Sequence, residues 1–129
     1  MGRQLTVFIE NEPGALSEIT AVLADEDVNI ESIMVEGEHD FGFARIRAHP
    51  LHEAEEALEE AGFQIRTGEV LTLGLPNQPG ALHGMLERLA KEGINIENMY
   101  GTANGSNKEP EIVIQVDDAD QAREVLGIA

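Results

Sequence analysis

The chain has no cysteine and no tryptophan, and it is nearly without lysine, with only Lys91 and Lys108 among its 129 residues. Without cysteine there is no disulfide framework, no thiolate nucleophile and no cysteine-based zinc site. Aromatic residues make up 4% of the chain, and Lys and Arg total 8 against 25 Asp and Glu, a net charge of −17. That balance argues against nucleic acid as a partner, because phosphate contacts need Lys and Arg. It argues equally against an anionic membrane surface. No run approaches the roughly 20 apolar residues of a membrane span, and Met1-Gly2-Arg3-Gln4 leads into a strand-like run with no signal-peptide pattern. A soluble cytoplasmic protein is expected. The acids are spread over the whole chain, which fits a cytoplasm of high salt, where charges are screened within about 3 Å at 1 M.

What the sequence does contain is a short motif written twice. Asn11-Glu12-Pro13-Gly14-Ala15-Leu16 returns as Asn77-Gln78-Pro79-Gly80-Ala81-Leu82, about half a chain length later. Each copy follows an apolar strand-like run and opens an amphipathic helix-like run. A turn repeated at this spacing marks a duplicated unit. A unit of roughly 65 residues buries only about 60% of its unfolded surface and is marginal alone. The copies are expected to lean on each other or on a second chain.

The first copy reads as strand 5–9, the turn, a helix striped by Leu16, Ile19 and Leu23, and a strand from Val28 to Val35. A charged hairpin turn over 36–40 leads to a strand from Phe41 to Ala48. Ala44, Ile46 and Ala48 fall on one of its faces, and Phe43, Arg45 and Arg47 on the other. A helix then carries Leu51, Ala54, Leu58 and Ala61 and stops at Gly62, before a short strand over 63–66. The order is βαββαβ. The second copy restarts with a strand over 71–75, a helix to Gly93, and Ile94-Asn95-Ile96-Glu97, which mirrors Val28-Asn29-Ile30-Glu31. A loop with Asn104-Gly105 as its turn signal, a strand over 112–116 and a helix over 118–126 complete it. The fold class is α+β, with two ferredoxin-like βαββαβ units, 1–68 and 69–129, built on antiparallel sheets. The second unit lacks its last strand. In a 4-1-3-2 strand order that omission leaves strand 71–75 as an exposed edge, to be met by a partner chain, a swapped strand or a cover.

Each Asn-x-Pro-Gly turn hands a strand to a helix N-terminus. Pro13 and Pro79 would cost nothing in a first turn, where N–H donors are unpaired. Gly14 and Gly80 allow close approach, and Asn11 and Asn77 can tie down the turn through their side chains. Unpaired amides at the positive helix end suit a carboxylate. Asn29 and Asn95 lie at the far end of the first helix of each copy, so a neighbouring copy must bring them to a turn. There an Asn carbonyl could accept from an ammonium while the turn donates to a carboxylate, the polar pattern of a free α-amino acid. Capped helix starts and ordinary turn residues would explain the same residues structurally.

These residues resemble the ACT domain family, small βαββαβ regulatory modules of amino-acid metabolism, and most of all its stand-alone tandem members. Asn-x-Pro-Gly-x-Leu and Val/Ile-Asn-Ile each occur twice, and Asp40-Phe41-Gly42-Phe43-Ala44-Arg45 and Asn95-Ile96-Glu97-Asn98-Met99-Tyr100 match further motifs. The resemblance implies a non-enzymatic regulatory protein that binds an amino-acid effector at ACT–ACT interfaces and forms a homodimer or higher oligomer. It points to Asn11, Gly14, Ala15 and Leu16, to Asn77, Gly80, Ala81 and Leu82, and to Asn29 and Asn95 as facing contacts. Ile9 and Leu75 stand where some serine-sensing members carry a histidine, so serine is not indicated. Glu10 to Leu16 and Asn29 to Ser32 also resemble the small subunit of acetolactate synthase, which makes an enzyme partner the alternative; a pair that has lost ligand binding is a third reading.

No nucleophile triad, metal cage or cofactor motif emerges. Asp40-Phe41-Gly42 is a kinase tripeptide, but the chain is too short for a kinase and lacks the companion motifs. His49, His52 and Glu53 straddle a strand end and a helix start and are read as surface residues. The glutamates from Glu53 to Glu60 are read as a solvated helix face.

Overall fold

The computed structural model describes residues 2–102 and 110–128. The Asn104-Gly105 turn lies outside them. Among the described residues the fold is α+β, with six strands and four helices: β1 (Gly2–Glu10), α1 (Ala15–Asp25), β2 (Asn29–Glu38), β3 (Phe41–His49), α2 (Leu51–Glu60), β4 (Gln64–Gly74), α3 (Ala81–Lys91), β5 (Ile96–Thr102), β6 (Glu111–Val116) and α4 (Ala119–Leu126). No helix among them is long and apolar enough to cross a membrane. The chain divides into two compact units, Arg3–Gly68 and Glu69–Ala129, the latter taking in Gly2.

In the unit Arg3–Gly68 the strands run in the order β2-β3-β1-β4. Antiparallel pairing sets Leu5 opposite Ile46 and Val7 opposite Ala44, so the apolar alternation of β1 and β3 falls on one face. Ile19 and Leu23 of α1 and Ala54 and Leu58 of α2 close that face into a core with Leu5, Val7, Ala44, Ile46 and Ala48. The β2–β3 hairpin is tighter than the charged turn expected over 36–40. Pairing continues through Glu36–Phe43, Gly37–Gly42 and Glu38–Phe41, and only His39 and Asp40 remain in the loop. His39 takes the positive φ of 58° that a two-residue hairpin turn demands.

In the unit Glu69–Ala129 the order is β4-β6-β5. Its core joins Leu71, Met85, Leu89, Ile94, Ile114, Val116, Ala122 and Leu126. Two helix ends repeat in detail. Gly62 (φ 92°) and Gly127 (φ 69°) follow α2 and α4 in the left-handed region. Phe63 N–H then donates to Leu58 and Ile128 N–H to Arg123, each at 3.0 Å, as in a Schellman motif.

The structure corrects the strand count between the copies. The short strand over 63–66 and the strand over 71–75 are one element, β4, because Thr67-Gly68-Glu69-Val70 contains no residue that must break an extended chain. The second copy therefore starts without a new strand, and Val70 and Leu71 are buried instead of lying on a bare edge.

Arg123 is a second departure, a cation only 9% exposed on α4. Its guanidinium pairs with Glu69 and, at 2.8 Å, with Asp120. Leu58, wholly buried, holds the matching helix-end position in the other unit. Removing one partner of a buried pair leaves a cost that an apolar side chain of similar size avoids. Since Glu69 retains a third of its side-chain exposure, Arg123→Ala is expected to lose about 2 kcal/mol, and Arg123→Leu to stay within about 1 kcal/mol of the parent, in chemical denaturation.

Candidate functional site

The two Pro-Gly segments have the same backbone. Ala15 N–H donates to Glu12 carbonyl at 3.2 Å, and Ala81 N–H to Gln78 carbonyl at 3.3 Å. Gly14 (φ 89°, ψ −14°) and Gly80 (φ 86°, ψ −12°) occupy the third position of each turn. These are type II β-turns, with proline presetting the second residue and glycine supplying positive φ at the third. Gly14 and Gly80 carbonyls then accept from Glu18 and Gly84 N–H at 3.0 and 2.9 Å, starting α1 and α3. The prolines thus sit ahead of the helices and not in their first turns, because a left-handed glycine intervenes. Neither helix start has a side-chain cap, whereas Asp118 caps α4 by accepting from Gln121 N–H at 3.1 Å. First-turn amides of α1 and α3 face outward at the positive end of the helix dipole.

Asn11 serves a different partner from the one expected. Its Nδ2 donates to His39 carbonyl at 2.8 Å, and its N–H donates to Asp40 carbonyl at 2.9 Å. It fastens the end of β1 to the β2–β3 hairpin instead of bonding within its own turn. Gly37 makes the room, since a Cβ there would lie 2.8 Å from Asn11 Nδ2. Asn77 is exposed in the corresponding bend after β4. Ala15 and Ala81 are half-buried at the helix starts; Leu16 packs on the core, while Leu82 is exposed.

Asn29 opens β2 opposite His49, at the other end of β3 from Phe41 and the Asn11 turn. Eight steps along that strand amount to about 26 Å. Asn95 precedes β5, where its N–H donates to Asp117 Oδ1 at 3.0 Å and its carbonyl accepts from Asp117 N–H at 3.1 Å. Within a unit, then, the structure keeps each Asn apart from its turn, as the βαββαβ order requires.

A cleft adjoins each turn. The first, about 410 Å³, is lined by Glu10, Glu12, Ala15, Glu18, Gly62 and Phe63, among others. The second, about 550 Å³, includes Leu75, Gly80, Ala81, Gly84, Arg88 and Ile128. Shape repeats but charge does not. Glu12 and Glu18 of the first copy become Gln78 and Gly84 in the second, and Val22 becomes Arg88. The Arg88 guanidinium donates to Val125 carbonyl and so is held at the cleft. Sequence reasoning missed Arg88, although aligning the two copies position by position would have exposed it. Among the described residues no group of three or more His, Asp or Glu side chains is placed to hold a metal ion. His52 lies 3.0 Å from Glu56 one turn along α2.

Two similar α+β units, each opening a helix with a Pro-Gly type II turn, define a tandem module with a cleft beside the turn in each half. A family model described as an ACT domain pair matches residues 1–128, and the chain belongs to that family. Among solved structures, protein BT0572 from Bacteroides thetaiotaomicron is 36% identical, with 98% of this chain and 86% of that one covered and a TM-score of 0.88. The ligand-free regulatory subunit of aspartate kinase from Thermus thermophilus shares the fold at 19% identity, covering 98% and 91% with a TM-score of 0.72. Its Thermus flavus equivalent is also 19% identical, covering 98% and 90% with a TM-score of 0.68. No curated protein matches the chain.

Two stability predictions follow from the turn geometry. Gly14→Ala and Gly80→Ala meet no neighbour within 4 Å, so each is expected to cost only backbone strain, about 1 kcal/mol. Gly37→Ala should displace Asn11 and lower the melting temperature about as much as Asn11→Ala; the double variant should cost less than the sum, because both break one contact.

Proposed function

We propose that this chain is a non-enzymatic regulatory protein of the cytoplasm that binds a free amino acid, with residues 1–68 and 69–129 as its two ACT units. The observation that carries the reading is the duplicated type II turn, which sets an uncapped helix N-terminus beside a cleft twice in one chain. Amides at Gly14 and Leu16, or at Gly80 and Leu82, receive the ligand carboxylate, and Ala15 and Ala81, whose own N–H groups close the turns, line the cleft. Asn29 or Asn95 of a neighbouring ACT unit accepts from its ammonium, and Asn11 anchors the strand end ahead of the first turn to the β2–β3 hairpin. Ligand that bridges two units shifts their association, and through it the regulated process.

Occupancy is unequal on this reading. Glu10, Glu12 and Glu18 repel a carboxylate at the first cleft, whereas Arg88 attracts one at the second. Self-association uses β2, the edge strand of its unit, where Ile33 and Val35 are 40% and 45% exposed. The second reading is a regulatory subunit that joins an amino-acid biosynthetic enzyme; the fold shared with aspartate kinase regulatory subunits favours it. A stoichiometric enzyme recovered with the tagged protein from native extract would support that alternative.

Calorimetry against a panel of free amino acids in high-salt buffer is the direct test. At least one should bind, and Arg88→Ala should weaken it about tenfold, equivalent to about 1.4 kcal/mol. A folded protein that binds none of them would refute the reading.

A further inference from the structure

Phenylalanine and arginine, both scarce in this acidic chain, are gathered on one surface. Three of its four phenylalanines, Phe8, Phe41 and Phe43, and three of its eight cationic residues, Arg45, Arg47 and Arg66, belong to strands of the unit Arg3–Gly68. Strand register sets Phe8, Phe41, Phe43, Arg45 and Arg47 on a single face, and Arg66 lies over the Phe8 ring. Opposite residues of paired strands point the same way, so the face opposite to the helix-covered core consists of successive rows across β2, β3 and β1. The rows are Glu38–Phe41–Glu10, then Glu36–Phe43–Phe8, then Met34–Arg45–Thr6, then Ser32–Arg47. Gln4, next on this face of β1, is fully buried. Both helices of the unit pack on the other side, around Ala44, Ile46 and Ala48.

The face is acidic at one end and cationic at the other, with aromatic rings between. The Arg45 guanidinium lies 4.3 Å from the centre of the Phe43 ring, and that of Arg66 lies 5.6 Å from the centre of Phe8, both within cation–π range. Arg45 Nε is shielded from solvent without a hydrogen-bond acceptor. Phe41, at the acidic end, is 61% exposed, the most exposed large apolar side chain described. A solvated sheet face on a protein of this charge has no need of scarce phenylalanines.

We propose that this face is a self-association surface on which a second copy of the chain stacks, related by a two-fold axis lying between the sheets and across the strands. That operation reverses the row order. It sets Arg47 of one copy between Glu10 and Glu38 of the other, and Phe43 and Phe8 over Arg45 and Thr6. An axis along the strands would instead place each row on itself, acid on acid and cation on cation, so charge selects the first arrangement. An acidic partner of another kind would complement the cationic end but be repelled by Glu10, Glu36 and Glu38. A second copy satisfies both ends. Three strands at about 4.8 Å spacing and about eight residues at about 3.3 Å give a footprint of roughly 400 Å² per copy. This is below the roughly 800 Å² per partner of stable complexes, so the pair should dissociate on dilution. The surface shares Phe8 and Glu10 with the wall of the first cleft and takes its outer column from β2, but it includes none of the turn amides, and the proposal does not depend on amino-acid binding.

Sedimentation of the full chain over a range of concentrations, at moderate salt, tests it with two charge-reversed variants. One carries Arg45→Glu and Arg47→Glu; the other carries Glu10→Arg, Glu36→Arg and Glu38→Arg. Each alone should show half the parent's limiting mass, or an association constant at least tenfold weaker. An equimolar mixture should restore the parent value, since each face then meets its opposite. The second variant reduces the net negative charge, so its loss cannot come from overall repulsion, and recovery in the mixture shows that both are folded. Val35→Lys, which loads the β2 edge but not this face, should leave the stacked pair in place. A parent that stays monomeric, variants that associate like the parent, a mixture that fails to recover, or complete dissociation by Val35→Lys would each overturn the proposal.

Discussion

Positive φ at Gly14 and Gly80 is the constraint from which the candidate site follows in both halves of the chain. A side chain there would be strained, so only glycine lets proline end the extended run and the next residue begin a helix. With the turn closed by its own backbone bond, no side chain is left to cap the helix. The amides remain outward, and a cleft opens beside them between the strand end, the helix and the C-terminal turn of the second helix. Gly62 and Gly127 complete that wall by stopping their helices in the same left-handed conformation.

Upon this repeated frame the two halves carry different chemistry. The first cleft is edged by glutamates, and the second by Gly84 and Arg88. A core leucine at the end of α2 has its counterpart in the ion-paired Arg123 at the end of α4. Duplication preserved backbone geometry, which is intolerant of change at positive φ, and let side-chain charge diverge where the backbone does not depend on it. That divergence is why two similar turns need not bind the same ligand equally, and why membership of the ACT domain pair family does not by itself identify an effector.

Much of the architecture was legible from one sequence. Alternation in 41–48 separated the buried face of β3 from its aromatic and cationic face, because a strand's side chains must alternate. The Pro-Gly pairs located both helix starts to within a turn; the helices begin at Ala15 and Ala81, after a left-handed glycine. What escaped was longer in range. Asn11 reads as a local turn residue, yet its partner His39 is reached only when β1 and β3 align. The unbroken course of β4 was hidden by the repeat itself, which suggested a fresh strand at 71. Nothing local in the sequence marks Arg123 as buried, since its ion pair is with Glu69, which is distant in sequence.

The sequence alone determined the four helices, the place of the two Pro-Gly turns and the acidic composition, because each rests on local backbone preference or on composition. Tertiary structure alone decided strand register and the side-chain partners drawn from distant segments. Register set Glu10 and Glu38 on either side of Phe41, and Arg45 and Arg47 farther along the same face. Scarce phenylalanines and arginines scattered over sixty residues of an acidic chain carry no pattern until pairing brings them onto one surface, because that proximity is created by hydrogen bonds between strands and not by spacing along one.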